Sequence, residues 1–235
     1  MHVRTAIRLV AALAFAWGAA ANAQNLVVNG DFEAGNSGFS SDYAFAPASN
    51  TTEGQYTVRS NPFPWNGLFI SAADHTTGSG LMYVGNGSPV DGSVVWQSGS
   101  IGVTANTDYF FEAFVMNVCC SSPFAGNSPS ILEFLVEGTA TESLGIATTD
   151  ITLAGTWEGL SKSWNSGANT SVVLSLINRN TAAAGNDFAI DDVFLGTTST
   201  VTPIPEPETY ALMLLGLGVV GAVARRRKNA RPSAR

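Results

Sequence analysis

Between residues 26 and 195 the chain alternates short apolar runs with clusters of turn-forming residues. The runs predict strands at Leu26–Asn29, Gln55–Arg59, Leu68–Ser71, Leu81–Val84, Val94–Ser98, Tyr109–Val118, Ile131–Glu137, Gly159–Trp164, Ser171–Asn178 and Asp187–Leu195. NPFPWNG, DHTTGSG, GNGSPVDG, TANTD and NSGANT separate them. β-Branched and aromatic residues between Gly/Pro/Asn turns are the pattern of an antiparallel two-sheet sandwich. Tyr109-Phe110-Phe111-Glu112-Ala113-Phe114-Val115 starts apolar on both faces, which suits a central strand buried on both sides. Ser171–Asn178 instead alternates, with Val172, Leu174 and Leu176 on the richer face. No amphipathic helix precedes Tyr210.

The two ends follow other rules. Arg4 and Arg8 precede an apolar stretch from Leu9 to Ala21 and a small-x-small site at Ala21-Asn22-Ala23. That order predicts a signal peptide over 1–23 and a mature chain beginning near Gln24, outside the cytoplasm. Residues 210–224 carry no charge and stop at Arg225, Arg226, Arg227 and Lys228. As a helix the run rises roughly 22 Å. That falls short of the roughly 30 Å hydrocarbon core, so flanking side chains must snorkel. It predicts a single transmembrane helix over 210–224 and a basic cytoplasmic tail over 225–235. GLGVVG (Gly216, Gly218, Gly221) fits a dinucleotide fingerprint only in letters, since no strand precedes it and no acid follows.

Pro205-Glu206-Pro207, the short apolar helix with its Leu-Gly-Leu-Gly and the arginine cluster together resemble the PEP-CTERM sorting signal of Gram-negative bacteria. The resemblance implies a membrane-anchored precursor, recognition by an exosortase, cleavage near the PEP motif, and delivery to the cell surface or extracellular matrix. Prolines on both sides of Glu206 keep that segment extended, as a peptide read by an enzyme needs. Residues 197–209 then form a linker to the body, 24–196.

Charge changes the picture of that body. It holds sixteen of the eighteen carboxylates but only Arg59, Lys162 and Arg179 of the eleven basic residues, a net of −13. Such a surface argues against nucleic acid as a partner. His75, the one histidine after the leader, reads as a loop hydrogen-bonder beside Asp74, and no GxSxG, HExxH or P-loop is present. The body is therefore read as non-catalytic. Cys119 and Cys120 are adjacent, which allows a vicinal disulfide, an intermolecular bridge or two free thiols; export favours the oxidised forms.

NLVVNGDFE (25–33) and the closing NDFAIDDVFL (186–195) resemble the jelly-roll domains of the carbohydrate-binding-module superfamily. The segment from Trp164 to Val193 looks especially like bodies found together with this sorting tail. The resemblance implies two antiparallel sheets with adjacent terminal strands, and association with extracellular polysaccharide. It also implies a structural calcium held by Glu33, by Asp191 or Asp192, and by carbonyls of the 77–80 loop, at Gly78 and Gly80. Asp31 and Glu53 are further candidates. Like charges brought together there would repel unless a cation lay between them. For a sugar contact the available aromatics are Trp65, Tyr83, Trp96, Trp157 and Trp164; Trp65, in a turn-rich loop, is the best placed.

Overall fold

The structure, a computed structural model, describes residues 24–120 and 128–201. The predicted signal peptide, the PEP motif at Pro205–Pro207, the 210–224 helix and the Arg225–Lys228 cluster lie outside the described residues. Among the described residues no helix is long and apolar enough to cross a membrane.

Twelve strands follow one another: β1 (Phe39–Ser40), β2 (Ala44–Phe45), β3 (Gln55–Arg59), β4 (Met82–Asn86), β5 (Val94–Ser98), β6 (Ile101–Gly102), β7 (Asp108–Asn117), β8 (Ile131–Glu137), β9 (Thr141–Thr148), β10 (Glu158–Asn165), β11 (Ser171–Asn178) and β12 (Phe188–Gly196). A three-residue 3₁₀ turn at Ile151–Leu153 is the one helical element among the described residues. One sheet runs β1-β5-β11-β8-β9, with β6 also on β11; the other runs β10-β7-β12-β4-β3-β2. Every pairing is antiparallel except β2 with β3.

Between the sheets lies the main core. Trp96, Leu132, Phe134, Leu174 and Leu176 of the first sheet meet Tyr83, Phe111, Ala113, Val115, Ile190 and Leu195 of the second. Phe111 and Phe134 touch edge to face with centroids 4.8 Å apart. The second sheet is covered on its other side too. There Met82, Val84, Met116, Val118 and Ala189 pack under Trp65 and Phe69 from the segment joining β3 to β4. Burial on both faces is why β7 reads as continuously apolar.

Three predicted strands or contacts come out differently. Leu26–Asn29 is no strand. The Asn25 carboxamide donates to Val193 O at 2.9 Å and accepts from Leu195 N, so a side chain replaces part of the ladder. Leu68–Ser71 makes only an isolated bridge, Phe69 to Cys119, because residues 66–70 turn to cap the second core. Trp65, expected at the surface, is 2% exposed. Its Nε1 donates to Ala46 O at 2.7 Å, a polar partner that lets the indole go inside. Strand β9 is not predicted, since its side chains are mostly exposed and carry no alternating apolar signal.

Candidate functional site

Glu33, Asp74, Asp191 and Asp192 meet around one loop, 74–81. Asp191 is fully buried on β12, where the register slips between Asp191 and Phe194. Its Oδ2 accepts from the backbone N–H groups of His75 at 2.7 Å and Thr76 at 3.2 Å. Asp192, at a φ of 46°, is turned the other way, and its Oδ2 sits 2.6 Å from His75 Nδ1. Asp74 accepts from the N–H groups of Thr77 and Gly80, each at 2.6 Å. Glu33 accepts from Leu81 N at 2.8 Å and lies directly over Gly80. Burial pushes the Asp191 carboxyl up to about 7. Burial also acts upward on Asp74, but the N–H groups of Thr77, Gly80 and Gly78 outweigh it and hold that acid below its ordinary value.

The acids named from sequence as calcium ligands are thus brought to one loop, but onto N–H donors. Calcium takes six to eight oxygens, among them carbonyls. Here the carboxylate lone pairs of Asp191 and Glu33 face amide hydrogens instead. Among the described residues no three acidic, histidine or cysteine side chains converge as a metal-binding group. As arranged, these carboxylates pin the loop through its N–H groups. His75 takes part as a hydrogen-bonder, stacked on Phe114 at 3.6 Å.

Beside that loop a cavity of about 350 Å³ is lined by Asn25, His75, Phe114, Asp192, Phe194 and Thr200. Its polar groups already have protein partners. Asn25 serves β12, His75 serves Asp192, and Thr200 Oγ1 donates to Glu112 at 2.7 Å.

A different cleft, of about 260 Å³, lies where the cap segment meets the start of β12. Glu53, Asn66, Asn86 and Asp187 supply its polar lining, Leu68 and Phe69 form one wall, and Cys119 and Cys120 form another. The two cysteines are joined as a vicinal disulfide across a cis peptide bond. Trp65 does not touch this space. It supports it from below, packed 6.0 Å from Phe69, so that residues 66–69 stand as a wall.

Asn50 orients both carboxamides of the cleft. Its Oδ1 accepts from Asn66 Nδ2 at 2.9 Å and from Asn86 Nδ2 at 2.7 Å. Each of those amides keeps a second N–H. Asp187 is 6% exposed, and its Oδ1 accepts from Gly87 N at 3.0 Å. Gly87 has to be glycine, because a Cβ there would lie 2.1 Å from Asn186 Oδ1. Among the described residues Asp187 Oδ2 has no partner, and neither does the exposed Glu53 carboxylate. Burial raises Asp187 to about 6, with Gly87 N–H opposing and the Glu53 charge adding to it. The Glu53 carboxylate, the second oxygen of Asp187, spare amide hydrogens and apolar walls form a recognition surface for a small polar ligand.

Sequence reasoning found part of this cleft. The cysteines were singled out for their adjacency and Glu53 as a minor metal candidate. Asp187 and the two asparagines were not, although an acid opening the last strand, just after the Gly185 turn, was a usable signal.

Comparison with known proteins adds one firm point. Residues 203–228 match the PEP-CTERM protein-sorting motif, so the chain carries that signal. No curated protein matches the chain. Among the solved structures that resemble the body are three of different kinds. One is the enzymatically active domain of tailspike protein 4 from bacteriophage CBA120, at 10% identity and TM-score 0.46, over 74% of this chain and 21% of that one. Another is the CBM22-1–CBM22-2 tandem of Xyn10C from Paenibacillus barcinonensis, at 16% identity and TM-score 0.44, over 80% and 50%. The third is a Stig cyclase from Fischerella sp. TAU, at 12% identity and TM-score 0.49, over 73% and 95%. The chain thus spans about a fifth of the tailspike domain and half of the tandem. At these scores the likeness says nothing about what the cleft holds.

Proposed function

We propose that this chain is an exported surface protein whose jelly-roll body binds extracellular polysaccharide, without catalysis, through the cleft of Glu53, Asn66, Asn86 and Asp187. The sorting motif at 203–228 supports export, since such a signal is of use only to a chain that leaves the cytoplasm. In this reading residues 1–23 are the leader, 24–196 the body and 197–209 the linker read by an exosortase. Residues 210–224 then hold the precursor in the inner membrane of a Gram-negative cell until processing, and 225–235 stay on the cytoplasmic side.

The observation that carries the binding reading is the uncommitted polar lining of the cleft. Sugars are held by paired donors and acceptors set beside apolar surface. Asn66, Asn86, Glu53 and Asp187 provide the first, and Leu68, Phe69 and the Cys119–Cys120 bridge provide the second. A volume of about 260 Å³ lies just below the roughly 300–1,000 Å³ of sites for drug-sized ligands, which suits a ring or chain end.

Affinity electrophoresis tests this. The protein is run through native gels containing the host's extracellular polysaccharide and through gels without it. Retardation in the polysaccharide gel, lost in the Glu53→Gln, Asp187→Asn variant, is the expected result. Equal mobility of a folded protein in both gels would leave a structural or adhesive matrix role instead.

A further inference from the structure

We propose that the cleft selects a cationic amino sugar: an unacetylated hexosamine whose ammonium group sits between Glu53 and Asp187. The inference rests on the polysaccharide-binding reading above and names the ligand class for that same site.

Three observations lead to it. Both ionisable groups lining the cleft are carboxylates, and none of the body's three basic residues reaches it. Arg179 is held by Glu133 and Asp91, and Lys162 by the carbonyl of Ile146. A uronate or sulfated sugar would therefore meet like charge with nothing to offset it. Second, Asp187 is 6% exposed, and its Oδ2 has no hydrogen-bond partner among the described residues while lining the cavity. That oxygen is not sealed from the cleft, and a ligand carrying N–H groups would give it a direct donor in place of water. An ammonium does so best, because charge-assisted bonds are the stronger ones.

Third, the rest of the lining fits a sugar better than a lysine side chain. A lysine side chain would bring its ammonium on an apolar four-carbon stem, with no hydroxyls for the carboxamides to meet. This cleft instead sets Asn66 and Asn86 around the acids, each with a free amide hydrogen for a ring hydroxyl. Phe69 and the disulfide lie alongside as apolar surface. Burial and the nearby Glu53 charge raise Asp187 above the ordinary carboxylate range, a cost that a bound cation would reverse.

Calorimetry decides the matter. The full-length chain, in neutral detergent at pH 6.5, where the hexosamine amines carry a proton and Asp187 is mostly ionised, is titrated with four probes: a glucosamine tetramer, an N-acetylglucosamine tetramer, a galacturonate tetramer and tetralysine. The glucosamine tetramer is expected to bind at least about tenfold more tightly than the acetylated one, with no heat from galacturonate. The Glu53→Gln, Asp187→Asn double variant should lose that preference while keeping the wild-type circular dichroism and a melting temperature no lower than the wild type's. A Glu137→Gln, Asp108→Asn control, which removes two acids away from the cleft, should keep it. Equal binding of both hexosamine tetramers would overturn the amino-sugar selection while leaving polysaccharide binding intact. Absence of binding by every sugar would overturn both. Tetralysine binding as tightly as the glucosamine tetramer would point to a basic peptide and overturn the sugar assignment. A preference that survives in the folded double variant would trace to the body's overall charge and not to the cleft.

Discussion

The indole Nε1 of Trp65 donates to the carbonyl oxygen of Ala46 at 2.7 Å, across the cap of the second core. This bond lets a tryptophan in a proline-rich turn become buried, and it ties the wall of the cleft to the strand region before β3. Trp65→Ala should cost about 3–5 kcal/mol in denaturant unfolding, as truncating large core aromatics does. Trp65→Phe keeps most of the packing but leaves the Ala46 carbonyl without its donor, for about 1–3 kcal/mol. The Phe variant should still bind ligand. If it folds but loses binding, Trp65 is itself a contact residue.

Asp187 gives a pH dependence with a definite sign. Its folded pKa, about 6, lies above the ordinary value of 3.8. Between those values the folded chain holds more protons than the unfolded one, so this group makes the fold less stable as pH rises from about 4 to about 6. Asp187→Asn removes the effect, because its side-chain carbonyl can still accept from Gly87. The variant should gain on the wild type by up to about 3 kcal/mol between pH 4 and pH 7. Urea melts across that range should show the two stability curves diverging; parallel curves would contradict the assignment.

Glu33 and Gly80 should behave as a coupled pair. A Cβ on residue 80 would lie 1.8 Å from Glu33 Oε1, so Gly80→Ala must displace the carboxylate that holds Leu81 N. Overpacking of this kind costs about 1–3 kcal/mol. In a Glu33→Ala background the same change should cost much less, giving a coupling of about 0.5–3 kcal/mol in a double-mutant cycle. Additive costs would mean that the carboxylate stands elsewhere.

Glu112, fully buried on β7, fastens the chain just ahead of the sorting motif. Its oxygens accept from Thr200 N and Thr200 Oγ1, each at 2.7 Å, from Ser161 Oγ at 2.7 Å and from the Ser199 hydroxyl. Glu112→Gln puts a donor amide among these donors. The expected loss is about 1.5–3 kcal/mol. Limited proteolysis should then cut within residues 197–201 sooner than in the wild type. Unchanged cleavage there would show that the stem is held by other contacts.

β7 and β12, in the middle of the second sheet, were legible because both their faces are buried, so they announce themselves as apolar runs. β9 was not, since an exposed edge strand carries polar residues that also suit loops. Adjacency of the body's terminal segments was foreseen, but not its means: two backbone bonds, Leu26 N to Leu195 O and Val193 N to Gly30 O, are supplemented by the Asn25 side chain, a contact that no periodicity reveals. The cleft was hidden for another reason. Its residues come from 53, 66–69, 86, 119–120 and 183–187, five stretches brought together only by the cap segment. Trp65 was misplaced because its partner is a backbone carbonyl nineteen residues away.

Where ligand sits on the body decides what the cleft is for. Backbone amide shifts of the isotope-labelled protein, followed while an oligosaccharide of the host matrix is added, report this directly. The predicted result is saturable movement of the Leu68, Asn86, Gly185 and Asp187 amides, with the His75–Phe114 region still. Movement confined to that second region, or none at all at millimolar ligand, would contradict the assignment of the cleft.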